Sequence, residues 1–277
     1  SFWPNYMRKY RYYGLKTLEL RALREISKLS IPYGFATLFM MAGFGIFLKI
    51  VGMVDQQIIE ASISSLGFWR PEELPSLRAL SAHPFLGDLQ LHVVSSRPPV
   101  YVAAAKVIID LMSVCFMTCL AFGTGTATFV SQSLGGQRPD LAQRYIVESL
   151  KIGVLSMVLI GGLCIVSPET LFMVFSRDME VVAAGRTSLQ LMGGSMVFAA
   201  LALVTAQALS GAGNTDFVMK VEGVLMIAWL IPAAYIFGMV LELGLFGIWT
   251  SVALYMVLMA VAMLWKLFKG DWKEIQL

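Results

Sequence analysis

The chain has 277 residues, of which 57% are apolar and 14% charged, and its mean hydropathy is +0.73. That balance excludes an ordinary water-soluble domain. The net charge of +3 comes from cations scattered beside apolar runs, not from a basic face, which argues against nucleic-acid binding.

Residues 1–29 read as a basic linker. The segment 15–28 places Leu15, Leu18, Ala22 and Ile26 on one helical face, with Lys16, Arg21, Arg24 and Lys28 largely off it. Such a helix either lies on an anionic membrane surface or joins this region to a preceding one. Residues 30–277 then contain apolar runs at about Ile31–Val54, Val102–Val130, Ile146–Val166, Ala183–Leu209, Val218–Leu241 and Leu243–Phe268. A transmembrane helix needs about 20 such residues, and the runs are apolar on every face, unlike the alternating strands of a barrel. The fold class expected is an all-α membrane protein, a bundle of six transmembrane helices.

Basic residues favour cytoplasmic loops. They cluster before the first span, from Arg8 to Lys28, and after the last, at Lys266, Lys269 and Lys273, which puts both termini in the cytoplasm. Arg138, Arg144, Lys151 and Lys220 agree with that orientation, while Arg177 and Arg186 fall outside it. The location expected is a plasma (inner) membrane crossed several times.

In the first span Lys49 is a candidate for a substrate cavity or for snorkelling to the surface, and Asp55 and Glu60 stand at or beyond the outer end. The insert at 64–99 carries Pro71, Pro75, Pro84, Pro98 and Pro99 and reads as an external loop. It also holds His83, Asp88 and His92, a weak metal signal without defined spacing, and no metal site is assigned. In the second span Lys106 and Asp110 are four residues apart, which allows a local ion pair or a gate. Cys115, Cys119 and Cys164 lie inside spans and pack as small apolar groups.

The second span ends in GTGTATFVSQSLGG at 123–136, where Gly123, Ala127, Ser131 and Gly135 form a small-residue edge suited to close helix packing. Thr124 and Thr126 are hydroxyls that either bond their own helix or line a cavity. Gly135 and Gly136 suit a left-handed cap, and Pro139-Asp140 restarts a helix. The fourth span closes on a similar pattern, so Gln132, Gly135 and Gly136 in one corner answer Gln207, Gly211 and Gly213 in the other. This is a weak internal repeat with a structural role.

Seventeen methionines suit a surface that accepts varied ligands. Met192 and Met196 are cavity candidates, as are Met112, Met117, Met226 and Met256, although helix packing or lipid contact serves equally for any one of them. Pro232 removes one backbone hydrogen bond in the fifth span and can bend it. Glu222 reads as interfacial, beside Lys220. No catalytic triad, phosphate-binding loop or carboxylate pair on one helix face is present, so neither an enzyme nor an ATP-driven pump is indicated.

LKIVG at 48–52, FGTGTATFVSQSLGGQRPDLAQRY at 122–145, FSRDMEVVAAG at 175–185, ALSGAGNTD at 208–216 and LGLFGIW at 243–249 resemble the multidrug and toxic compound extrusion (MATE) family, in the second half of a bacterial member. The resemblance implies one lobe of a twelve-helix secondary transporter, with substrate held between two related lobes. It further implies export of cationic or amphipathic drugs in exchange for H⁺ or Na⁺, with no cofactor. The partners expected are the small-molecule substrate, the lipid bilayer, and either a first half or a second copy of this chain. A chain beginning at Ser1 agrees with the second-half expectation. The ion-coupling acid is expected in the first half, because spans one and four offer no Asp or Glu within membrane depth. A lipid-linked precursor flippase or a non-transporting scaffold of the same fold is the alternative.

Overall fold

The structure is a computed structural model that describes residues 45–57 and 100–270, with positions 27, 30, 31, 34, 35, 38, 42, 43 and 272. The linker at 1–29, apart from Ser27, and the insert at 64–99 lie outside the described residues. Among the described residues every regular element is helical. They are α1 (45–57), α2 (Val100–Gly135), α3 (Pro139–Val166), α4 (Pro168–Phe175), α5 (Met179–Gly211), α6 (Thr215–Val240) and α7 (Gly244–Lys269).

Five of these, α2, α3, α5, α6 and α7, are long and apolar enough to span a membrane. The sixth expected span is described only in part, through α1. Helices α2 and α3 outrun the apolar sequence at their polar ends, since Ser131–Gly135 and Asp140–Arg144 continue them into polar sequence. The short helix α4 was not foreseen. Pro168 stands in its first turn, Phe172 is fully buried against Gly185 of α5, and Glu169 pairs with Arg186 at 2.7 Å.

The helix α5 is the hub of the bundle: 17 of its residues are buried, against six in α3. It packs on α2, α3 and α7. Small residues permit this. A Cβ on Gly211 would lie 2.5 Å from the carbonyl oxygen of Ala127, and a Cβ on Gly123 would lie 2.7 Å from Cγ of Gln207. The edge expected on α2 is therefore a packing face at Gly123 and Ala127. It stops before Gly135, which has open space around it.

Both Gln-x-Leu-x-Gly corners close by the same hydrogen-bond pattern. At the end of α2, Arg138 N donates to Ser133 O and Gln137 N to Leu134 O; at the end of α5, Asn214 N donates to Leu209 O and Gly213 N to Ser210 O. These are Schellman closures. The left-handed residues are Gln137 (φ 56°) and Gly213 (φ 84°), so the expectation for Gly135 and Gly136 is corrected: α2 continues through Gly135, and the reversal falls after the glycine pair. Pro139 and Asp140 begin α3 as expected.

At the opposite end of the bundle Asp55, 4% exposed, reaches from α1 to the start of α2, where its carboxylate accepts hydrogen bonds from Val102 N at 3.3 Å and Tyr101 N at 3.5 Å. The first turn of α2 has no acid of its own, so Asp55 supplies the negative charge that a helix N-terminus favours. Asp55→Ala is expected to lower the stability of the lobe by about 1–3 kcal/mol, the cost of orphaned buried donors. Thermal unfolding in detergent measures it, and an unchanged midpoint would remove this role.

In α6 the backbone widens into π turns at Met226–Leu230 and Ile236–Val240, on either side of Pro232. Proline lacks an N–H and crowds the carbonyl four residues before it. The preceding π turn, in which Ile231 N donates to Met226 O, relieves that crowding within a continuous helix.

Candidate functional site

One face each of α2, α5, α6 and α7, with Phe47 of α1, encloses a cavity of about 450 Å³. Helical periodicity explains which residues reach it. On α6 the wall is Val218, Glu222, Met226 and Leu230, every fourth residue, and on α2 it includes Met112, Phe116 and Leu120 on the same spacing. The wall is overwhelmingly apolar, with methionine from four helices. Met112, Met117, Met192, Met226 and Met256 line it, whereas Met196, 2% exposed, is packed in the core beside it.

Polar groups gather where α5 and α6 meet at the corner end: Gln207 and Ser210 in the last turns of α5, and Glu222 on α6. Glu222 is the seventh residue after Thr215, so it lies about 10 Å along α6 from its start at 1.5 Å per residue. It forms part of the cavity wall, half-buried. It has no ion-pair or hydrogen-bond partner among the described residues, and no Lys, Arg or His lines the cavity. Tyr255 of α7 is near enough to feel its charge. Aromatic groups stand toward the other end, where Phe47 and Trp249 meet edge to face at 5.4 Å between ring centres. Trp249 lines the cavity, and its buried indole N–H has no partner among the described residues.

The remaining candidates fall elsewhere. Lys49, Thr124 and Pro232 are exposed on the outside of the bundle, away from this cavity. Thr126 is buried and donates to Phe122 O at 2.7 Å, as a hydroxyl in an apolar setting must. Lys106 and Asp110 are both exposed and form no ion pair with each other: the side chains of a pair four residues apart meet only if both lean along the helix, and these do not. Gln132, Gly135 and Gly136 are exposed at the corner, Gly213 turns the chain, and Gly211 packs on Ala127. Gln207 has two roles, in the corner motif and in the cavity wall. Among the described residues no group of His, Cys, Asp and Glu is placed to hold a metal, and the three cysteines are buried and unbridged.

Phe47, Phe116, Trp249 and Tyr255 are wall residues that the sequence did not single out, and Glu222 was not read there as a cavity residue. The repeat of Val218, Glu222, Met226 and Leu230 was the available signal. It shows that Glu222 shares a face with apolar residues instead of with Lys220.

The MatE family model matches residues 85–236, beginning inside the 64–99 insert. A probable multidrug resistance protein NorM from Thermotoga maritima is 22% identical over 172 residues, 62% of this chain and 37% of that protein. Multidrug and toxin extrusion protein 1 from Homo sapiens is 23% identical over 177 residues, 63% of this chain and 31% of its own length. The matches therefore span about a third of these relatives. Among solved structures, the outward-facing conformation of a multidrug resistance MATE family transporter superposes with a TM-score of 0.70 at 16% identity, covering 91% of this chain and 47% of that one.

Proposed function

Because this chain belongs to the MatE family of membrane transporters, we propose that it is the second lobe of a secondary antiporter that exports amphipathic organic cations in exchange for H⁺ or Na⁺. The observation that carries this reading is the cavity. Its volume of about 450 Å³ lies within the range of drug-sized sites. Methionines from four helices give it a soft, adaptable wall, suited to ligands of varied shape. Among the described residues of that wall there is no cation, which disfavours a lipid-linked anion that would need basic groups to hold its phosphates.

The partner in this reading is a first lobe of the same architecture, closing the substrate path between two halves. A second copy of this chain would fill the same place, and the mass of the complex in detergent separates the two. The corner end, with Arg138, Arg144 and the basic end of α7, faces the cytoplasm of a plasma membrane.

Transport is tested with the protein at its full natural length in liposomes. Ethidium is expected to cross against its gradient when a proton or sodium gradient is imposed, and to stop when the gradient is collapsed. Ethidium movement indifferent to both gradients would defeat the antiport reading.

A further inference from the structure

The cavity has two unlike ends. Toward the corner end stand Gln207, Ser210 and Glu222, and toward the other end Phe47, Met192 and Trp249. Ser210 already donates to Ala206 O at 2.9 Å, so its hydroxyl oxygen is what it offers to the cavity. Among the described residues of the wall, Glu222 carries the one carboxylate and finds no cation or donor.

An ionised group within membrane depth costs about 2.5–3.5 kcal/mol unless it is neutralised. Elsewhere the lobe arranges partners for its buried acid: Asp55 takes two backbone N–H groups at the start of α2. Glu222 has nothing comparable, and its side chain opens onto a space large enough for a ligand. A carboxylate so placed is neutralised either by a proton or by a cation that enters that space. A positive group would meet the carboxylate with the Ser210 hydroxyl oxygen on the same wall, while an attached apolar body would lie along aromatic and methionine surfaces.

Resting on the reading of this cavity as a substrate site, we propose that Glu222 is its specificity-determining residue: it takes the positive end of an amphipathic cation, whose apolar body points toward Phe116, Met192 and Trp249. The ligand is thus oriented, charge toward the corner end. The positive-charge filter of the transporter belongs to this lobe and sits on the fifth span, not only on acids of a first lobe.

The test compares two probes of similar shape, tetraphenylphosphonium and neutral triphenylphosphine oxide, by quenching of tryptophan fluorescence on the full chain in detergent. The native protein binds both. Glu222→Gln, which keeps shape and removes charge, weakens the phosphonium by about tenfold or more and leaves the neutral probe within about twofold, the loss expected for one charge-assisted contact. Retained binding of the neutral probe shows that the variant is folded. Glu222→Asp keeps the charge and restores most of the phosphonium affinity. Equal loss of both probes in Glu222→Gln, with Glu222→Asp no better, would make the residue structural and overturn the proposal, as would undiminished phosphonium binding. Failure of the native protein to bind either probe, or full binding of both by Met256→Trp, which narrows the cavity, would overturn the cavity reading itself.

Discussion

Gly193→Leu is expected to prevent the lobe from folding, while Gly194→Leu, one residue along the same helix, is expected to be tolerated. At Gly193 a Cβ would lie 2.7 Å from the carbonyl oxygen of Gly161 and 3.0 Å from Cβ of Cys164. The relation is mutual, since a Cβ on Gly161 would run into the carbonyl of Gly193. Here α3 and α5 touch backbone to backbone, the close approach that small residues allow inside a membrane, where helices have no hydrophobic drive to associate. Overpacking a core by a few methylenes costs about 1–3 kcal/mol when side chains can shift. A main-chain carbonyl has no rotamer to retreat to, so the helices must part, and α5 has more buried residues than any other described helix.

Gly194 supplies the control because it is exposed and nothing lies within 4 Å of its Cβ position. Both substitutions raise helix propensity by about 1 kcal/mol, so propensity cannot separate them. Size-exclusion chromatography in mild detergent and the unfolding midpoint read the difference. Equal behaviour of the two variants would show that α3 and α5 do not meet as described.

The spans were legible because bilayer thickness imposes a length on apolar runs, and a run such as VLSMVLIGGLCIV at 154–166 leaves no other reading. Packing edges were partly legible: Gly123 and Ala127 lie on the edge read from four-residue spacing, but nothing in that spacing says where the neighbouring helix diverges, and Gly135 falls beyond it. The corners were recognisable as a repeat, yet their closure bonds are offset by one residue from the sequence match. Ser133 of the first corner corresponds in its hydrogen bond to Leu209 of the second, whereas the residue aligned with Leu209 is Leu134. Helix closure follows the last helical residue, not the motif.

The cavity was the least legible part, for a physical reason. In water a helix advertises its buried face by amphipathicity, but in lipid both faces are apolar, and the contrast that marks a core is lost. Met192 and Met196 look alike in sequence and are equally buried; only the neighbouring helices decide that one borders the cavity and the other does not. Glu222 was obscured by Lys220, two residues away, although residues at that separation point to different sides of a helix.

The same contrast between Met256, on the cavity wall, and Met196, in the core beside it, supplies the second large effect. Met256→Trp places a rigid ring in the cavity, on the wall of α7 between Val252 and Met259. The space of about 450 Å³ accepts the added bulk without moving the backbone. The unfolding midpoint is therefore expected to change little, while binding of tetraphenylphosphonium falls by about tenfold or more, because part of the apolar contact area along the wall is taken by the protein's own side chain. Met196→Trp is expected to do the reverse. Met196 is 2% exposed and does not border the cavity, so a larger ring there strains the core at about 1–3 kcal/mol and acts on binding only through that instability. Measuring midpoint and affinity for both variants separates ligand space from packing. Were Met256→Trp to destabilise as much as Met196→Trp and still bind the phosphonium, α7 would not border a ligand site, and the transport path would have to run outside this cavity.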